Sequence, residues 1–145
     1  MFLRSQVVVF RIGEEEYGFP IERVQEITRI SEIHPIPNAP EYIKGLISIR
    51  GQALPLIDLH VRFGLKSESN CEFAIIVEIN KKIVGMAVDE VKEVRVIENI
   101  APPPVLITAP FITGIVNLSD RIIMYINPEK ILETKEIIKI EQFVN

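Results

Sequence analysis

The sequence predicts a mainly β fold with only short helices, a barrel or sandwich built as two similar lobes. Three observations carry this reading. Short β-branched runs alternate with turn signals along the chain, long helical patterns are scarce, and the two halves repeat each other at an offset of 67–69 positions.

Taken in order, Val7-Val-Val-Phe-Arg-Ile12 is β-branched and apolar, and Gly13-Glu-Glu-Glu16 is a polar turn before Tyr17-Gly-Phe19, which reads as a hairpin. Pro20 suits the start of a single helical turn, because its fixed φ and missing N–H cost nothing there. Val24 to Ile30 reads as a strand, although Ile21, Val24, Ile27 and Ile30 also keep helical spacing, and periodicity alone leaves both open. A proline-studded loop, Ile33 to Pro40, follows. Further strands are expected at Leu46–Arg50, Ala53–Ile57, Phe73–Ile79, Ile83–Val88, Val94–Ile97, Ile115–Leu118 and Ile122–Ile126. Helix is confined to a turn from Asp58 as N-cap to Phe63, stopped by Gly64, and another with Asn127 as N-cap and Pro128 first. The amphipathic segment Thr134 to Val144 is also compatible with helix.

The repeat aligns Tyr17-Gly-Phe-Pro-Ile-Glu-Arg-Val-Gln-Glu-Ile27 with Val84-Gly-Met-Ala-Val-Asp-Glu-Val-Lys-Glu-Val94, so that Gly18 meets Gly85 and Glu26 meets Glu93. It also aligns Tyr42-Ile-Lys-Gly-Leu-Ile-Ser-Ile49 with Phe111-Ile-Thr-Gly-Ile-Val-Asn-Leu118, which brings Gly45 onto Gly114. The copies run from roughly residue 7 to 63 and 73 to 132, within one domain spanning 1–145, and a C-terminal segment 134–145 follows them. A unit of about 70 residues buries a limited share of its surface, so the two lobes are expected to share a hydrophobic interface.

Composition narrows the function. The chain has 145 residues, 48% of them hydrophobic, with only 7 Gly and 10 Pro, which fits a folded core. A net charge of −4 with no basic run argues against nucleic acid, whose phosphates demand clustered Lys and Arg. Cys71 is the sole cysteine, so no intrachain disulfide can form and a reducing, cytoplasmic setting is the simplest reading. No apolar run reaches the roughly 20 residues of a membrane span, and the start is too short for a signal peptide.

Catalytic constellations are thin. His34 and His60 lack a partner at zinc-ligand spacing, and the nucleophile-elbow, dinucleotide and phosphate-loop glycine patterns are all absent. The expectation is therefore a chain without catalytic, cofactor or metal sites. The repeat offers another route to function. Arg50-Gly51 in the first copy falls opposite Ser119-Asp120 in the second, so lobe architecture does not explain an arginine at the end of an apolar strand. Arginine suits protein contacts, because its planar fork binds carboxylates and its stem buries well. The competing reading is a plain surface arginine in an Arg-Gly corner.

Several blocks together resemble the CheW family of chemotaxis coupling proteins: Phe10-Arg-Ile-Gly-Glu-Glu-Glu-Tyr-Gly18, Val24-Gln-Glu-Ile27, Ala39-Pro-Glu-Tyr-Ile-Lys-Gly-Leu-Ile-Ser-Ile-Arg-Gly51 and Pro55-Leu-Ile-Asp-Leu59. Val84 to Val91 and Phe111-Ile-Thr-Gly114 continue the likeness, which spans about Val7 to Leu132. Ser48 and Ile49 depart from it, standing where the family commonly has Asn-Leu. The resemblance implies two five-stranded β-barrels on a shared core, no catalytic activity, and an adaptor role. The implied partners are the regulatory domain of a CheA-type histidine kinase and the cytoplasmic hairpin tip of methyl-accepting chemoreceptors, at arrays on the inner membrane face. Carried across by motif, the receptor-facing residues are Val24, Glu26, Ile27 and Arg50, and no residue is indicated for the kinase. Alternatives are a CheW-like module of a larger signalling protein and a small-ligand-binding barrel, which would need an interior cavity.

Overall fold

The computed structural model describes residues 5–65, 71–133 and 135–136. Ten strands follow in order: β1 (Ser5–Ile12), β2 (Glu15–Pro20), β3 (Val24–Arg29), β4 (Ile43–Ile49), β5 (Gln52–Asp58), β6 (Phe73–Ile79), β7 (Lys82–Val88), β8 (Glu90–Ile97), β9 (Ile112–Asn117) and β10 (Ile122–Ile126). The helical elements among the described residues are 3-10 turns at Ile21–Arg23 and Pro128–Lys130 and one α-helical turn, α1 (Leu59–Arg62), with helical backbone again at 135–136. The expected caps are in place. Asp58 accepts from the His60 and Val61 amides, and Asn127 accepts from the Glu129 amide. The segment left open between helix and strand is the strand β3. Nearly all of the C-terminal segment 134–145 lies outside the described residues.

The strands form two five-stranded sheets, ordered β8-β1-β2-β10-β9 and β3-β6-β7-β5-β4. The repeat is real in space, since each strand of one sheet has its counterpart at the same place in the other. However, the sheets do not coincide with the sequence copies. The β1–β2 hairpin of the first copy joins β8–β10 of the second, and β6–β7 of the second joins β3–β5 of the first. Each exchange is sealed by a parallel pair, β2 with β10 and β7 with β5. A parallel pair cannot be made by a tight turn, so it draws on chain distant in sequence. Neither copy can complete a sheet alone.

Each sheet is closed on itself by the chain that leaves one of its edge strands, β3 or β8. His34 exchanges both backbone hydrogen bonds with Leu46 on β4, at 2.8 and 2.9 Å. Ala101 does the same with Ile115 on β9, 67 positions after His34 and 69 after Leu46. This crossing explains one repeated glycine pair. Gly45 has φ +149°, and a Cβ there would collide with the His34 carbonyl oxygen; at Gly114 a Cβ would collide with the Ile100 side chain.

Strand alternation then divides the apolar residues among three cores. Val7 and Val9 pack with Val116 and Ile123 inside the first barrel, and Ala74 and Ile76 pack with Leu54 and Leu56 inside the second. The intervening residues Val8, Phe10 and Ile12 turn the other way and meet Ile57, Ile75, Val77 and Met86 in the largest core, which is the interface between the barrels. Buried side chains of each cluster occupy the barrel interiors. A surface hollow of about 500 Å³ opens among turn residues, Glu14–Glu16 and Asn117–Ile122.

Candidate functional site

Three of the four expected contact residues lie on β3, an edge strand of the second barrel. Val24 pairs with Val77 and Ile27 with Ile75, and a bulge between them keeps both side chains on the side that faces the other barrel. Val24 is half-buried against the shared core. Ile27 ends a row that crosses the sheet through Ile75, Met86, Ile57 and Ile43. The other four members are buried, while Ile27 is 40% exposed, so the shared core surfaces at this point.

Glu26 pairs with Ile76 and takes the opposite side of the strand. Its carboxylate reaches the seam where the barrel closes and lies 3.5 Å from Nη2 of Arg50. Arg50 and Gly51 form the two-residue turn between paired Ile49 and Gln52, with φ of 51° and 81°. Two consecutive positive φ values mark a type I′ turn, whose twist matches the flanking strands. Such a backbone favours Asn, Asp or Gly, so an arginine at the first position carries a conformational cost that packing does not repay. Its side chain is 81% exposed despite the ion pair. The edge strand thus carries an apolar spot on one side and, through Glu26 on the other, an accessible guanidinium.

The second copy changes the argument for Arg50. Sequence register places Ser119-Asp120 at its turn, yet the twin carboxylate Glu93 on β8 is not without a guanidinium. Arg121, one position past that turn, donates to Glu93 and lies 3.4 Å from Glu16. Arg95 adds a contact to Glu93 at 3.5 Å. The Arg121 hydrogen bond holds the Glu93 carboxyl below the usual carboxylate range, with burial opposing it. A Glu–Arg pair is thus common to both barrels. What distinguishes the first is exposure, since Arg121 is held by two carboxylates and only 25% exposed.

A second cluster was invisible to motif spacing. His60 on α1, Cys71 ahead of β6 and Asp89 between β7 and β8 converge, although they stand far apart in sequence. His60 Nε2 lies 2.9 Å from Asp89 Oδ1, and Cys71 Sγ lies 3.3 Å from the same oxygen. Asp89 Oδ2 accepts the Gly13 amide at 2.7 Å and faces Arg11 Nη1 at 3.7 Å. Burial disfavours the Asp89 carboxylate, but the hydrogen bonds from His60, Gly13 and Cys71 outweigh it and hold the carboxyl below its usual value.

Comparison with known proteins identifies the family of the fold. A family model described as a CheW-like domain matches residues 6–136. The chain is 34% identical to the chemotaxis protein CheW of Klebsiella aerogenes, over 91% of its own length and 84% of that protein. It is 32% identical to the chemotaxis protein CheW of Treponema pallidum, with 93% and 86% covered. The crystal structure of the scaffolding protein TtCheW from Thermoanaerobacter tengcongensis superposes with a TM-score of 0.83 at 37% identity, covering 92% of this chain and 96% of that one. With its whole repeated fold accounted for in this way, the chain belongs to the CheW-like family.

Proposed function

We propose that this chain is a non-catalytic chemotaxis adaptor that couples a CheA-type histidine kinase to the cytoplasmic hairpin tips of chemoreceptors. The observation that carries the reading is the exposed Ile27 at the mouth of the inter-barrel core, on the same edge strand whose Glu26 pairs with the accessible Arg50. Such a surface suits a helix face: apolar residues of the helix cover Val24 and Ile27, and an acidic residue on it meets Arg50 and fixes register. The kinase regulatory domain takes a different surface, which leaves the β3 site open to the receptor. Output changes because a receptor state that binds the adaptor better also repositions its kinase partner.

The whole chain acts as one CheW-like domain, because the exchanged hairpins interlock its two barrels. No helix among the described residues is long and apolar enough to cross a membrane. The cytoplasmic placement at receptor arrays follows from the proposed partners. The test is a titration of the full chain with a soluble receptor-tip hairpin and, separately, with the kinase regulatory domain, without nucleotide. Binding to both at tens of micromolar or below is expected. Failure to bind the kinase domain would overturn the coupling role, and failure to bind the hairpin would remove the β3 site from it.

A further inference from the structure

We propose that His60, Cys71 and Asp89 form a binding site for a zinc-type divalent cation at the junction of the two barrels. The three side chains offer an imidazole nitrogen, a thiol sulfur and a carboxylate oxygen, all within 4.8 Å of one another. This mixed set selects a borderline metal, since calcium and magnesium prefer oxygen alone. Zinc bonds of about 2.0–2.3 Å place tetrahedral ligand atoms roughly 3.3–3.8 Å apart. The contacts at Asp89 Oδ1, 2.9 Å from His60 and 3.3 Å from Cys71, are hydrogen-bond distances. Opening them by a few tenths of an ångström exchanges the shared protons for the ion.

Several features beyond proximity favour a ligand role. His60 is only 2% exposed and sits on a turn whose N-cap, Asp58, fixes its backbone. His60 Nε2 faces both oxygens of Asp89, at 2.9 and 3.0 Å, and Cys71 shares Oδ1. Oδ2 is also anchored by the Gly13 amide, the kind of outer hydrogen bond that orients a ligating carboxylate. Charge also balances, because a thiolate and a carboxylate together neutralise a divalent ion, and Arg11, 3.7 Å from Asp89 Oδ2, is matched by Glu90 at 3.4 Å. On binding, Cys71 loses its thiol proton to solvent and His60 coordinates through an unprotonated Nε2. The site joins the barrels: Asp89 lies where the chain passes from β7 to β8, and Gly13 belongs to the β1–β2 turn of the opposite sheet. An ion here clamps that junction, whichever partners the adaptor serves.

The experiment is a cobalt titration of the full-length chain in a non-thiol reductant, followed by competition with zinc. A thiolate-to-cobalt charge-transfer band is expected, together with visible bands of tetrahedral intensity, both bleached by one equivalent of zinc. Cys71 is the only cysteine, so the charge-transfer band reports on it directly. His60→Gln and Asp89→Asn should each weaken cobalt binding at least tenfold, while His34→Gln, at an exposed position, should leave it unchanged. Absence of the band in the unaltered chain overturns the proposal. A band of full strength in both His60→Gln and Asp89→Asn also overturns it, revealing an adventitious thiol complex. Should a variant fail to fold, alkylation of Cys71 in the unaltered chain decides. Zinc is expected to slow it at least tenfold, and an unchanged rate overturns the site.

Discussion

Arg50 lies 3.5 Å from Glu26 across the closing seam of one barrel, yet keeps most of its side chain in solvent. An exposed pair of this kind contributes at most about 1 kcal/mol to folding. Its value therefore lies in aiming the guanidinium. Arg50→Glu should weaken binding to a receptor-tip hairpin by at least tenfold, about 1.4 kcal/mol, and leave the thermal melt nearly unchanged. Titration calorimetry and a melting curve on one preparation check both halves. A normal dissociation constant, or a lost fold, would take Arg50 out of the site.

Val24 and Ile27 share a side of β3 but differ in burial, and that difference separates contact from packing. Ile27→Ala removes an exposed chain at the end of the apolar row, so stability should fall by less than about 0.5 kcal/mol. Its receptor affinity should nevertheless drop by roughly 1–2 kcal/mol, as expected of an apolar anchor. Val24→Ala removes methyl groups packed on the shared core and should cost about 1 kcal/mol of stability as well. Urea melts paired with binding isotherms would show the contrast. Equal stability losses would contradict the assigned burial.

Much of this was legible in the sequence where the cause is local. Phe73–Ile79 and Ile122–Ile126 were readable to the residue, and the caps Asp58 and Asn127 announced their turns. The start of β8 was not, because Glu90, Lys92 and Glu93 on an edge strand hide the alternation that begins at Val91. Strand exchange was also silent, since a hairpin has the same periodicity whichever barrel hosts it. Comparing single repeat positions misplaced the uniqueness of Arg50, because Glu93 is met from Arg121, the equivalent of Gln52, and not from the turn itself. His60, Cys71 and Asp89 carry no spacing signal, for they meet only through tertiary structure.

Gly45 and Gly114 occupy matching places, but their neighbours differ in compliance. At Gly45 an added Cβ meets the backbone carbonyl of His34, which the closure bridge holds in place, and φ is positive as well. At Gly114 the hard contact is with the side chain of Ile100, and the backbone carbonyl of Ala101 stands farther off at 3.2 Å. Gly45→Ala is expected to cost more than about 2 kcal/mol and Gly114→Ala distinctly less. Chemical denaturation of the two variants tests the order, and the reverse order would refute the account of the closure.

Asp89 supplies a pH-dependent contribution whose sign follows from its lowered pKa. A carboxyl that ionises more readily in the folded chain stabilises it at pH values above the unfolded value, about 3.9. That stabilisation fades as pH falls from there through the lower folded value, where both states hold the proton. Asp89→Asn keeps the shape but loses the charge that accepts from His60, Gly13 and Cys71, and should cost about 1–3 kcal/mol at neutral pH in metal-free buffer. The gap between the two chains should stay level down to about pH 5 and narrow below it. Denaturation at a series of pH values, with a chelator present throughout, measures that gap. A gap that widened on acidification would mean that the Asp89 carboxylate is tolerated in the folded chain and not favoured by it.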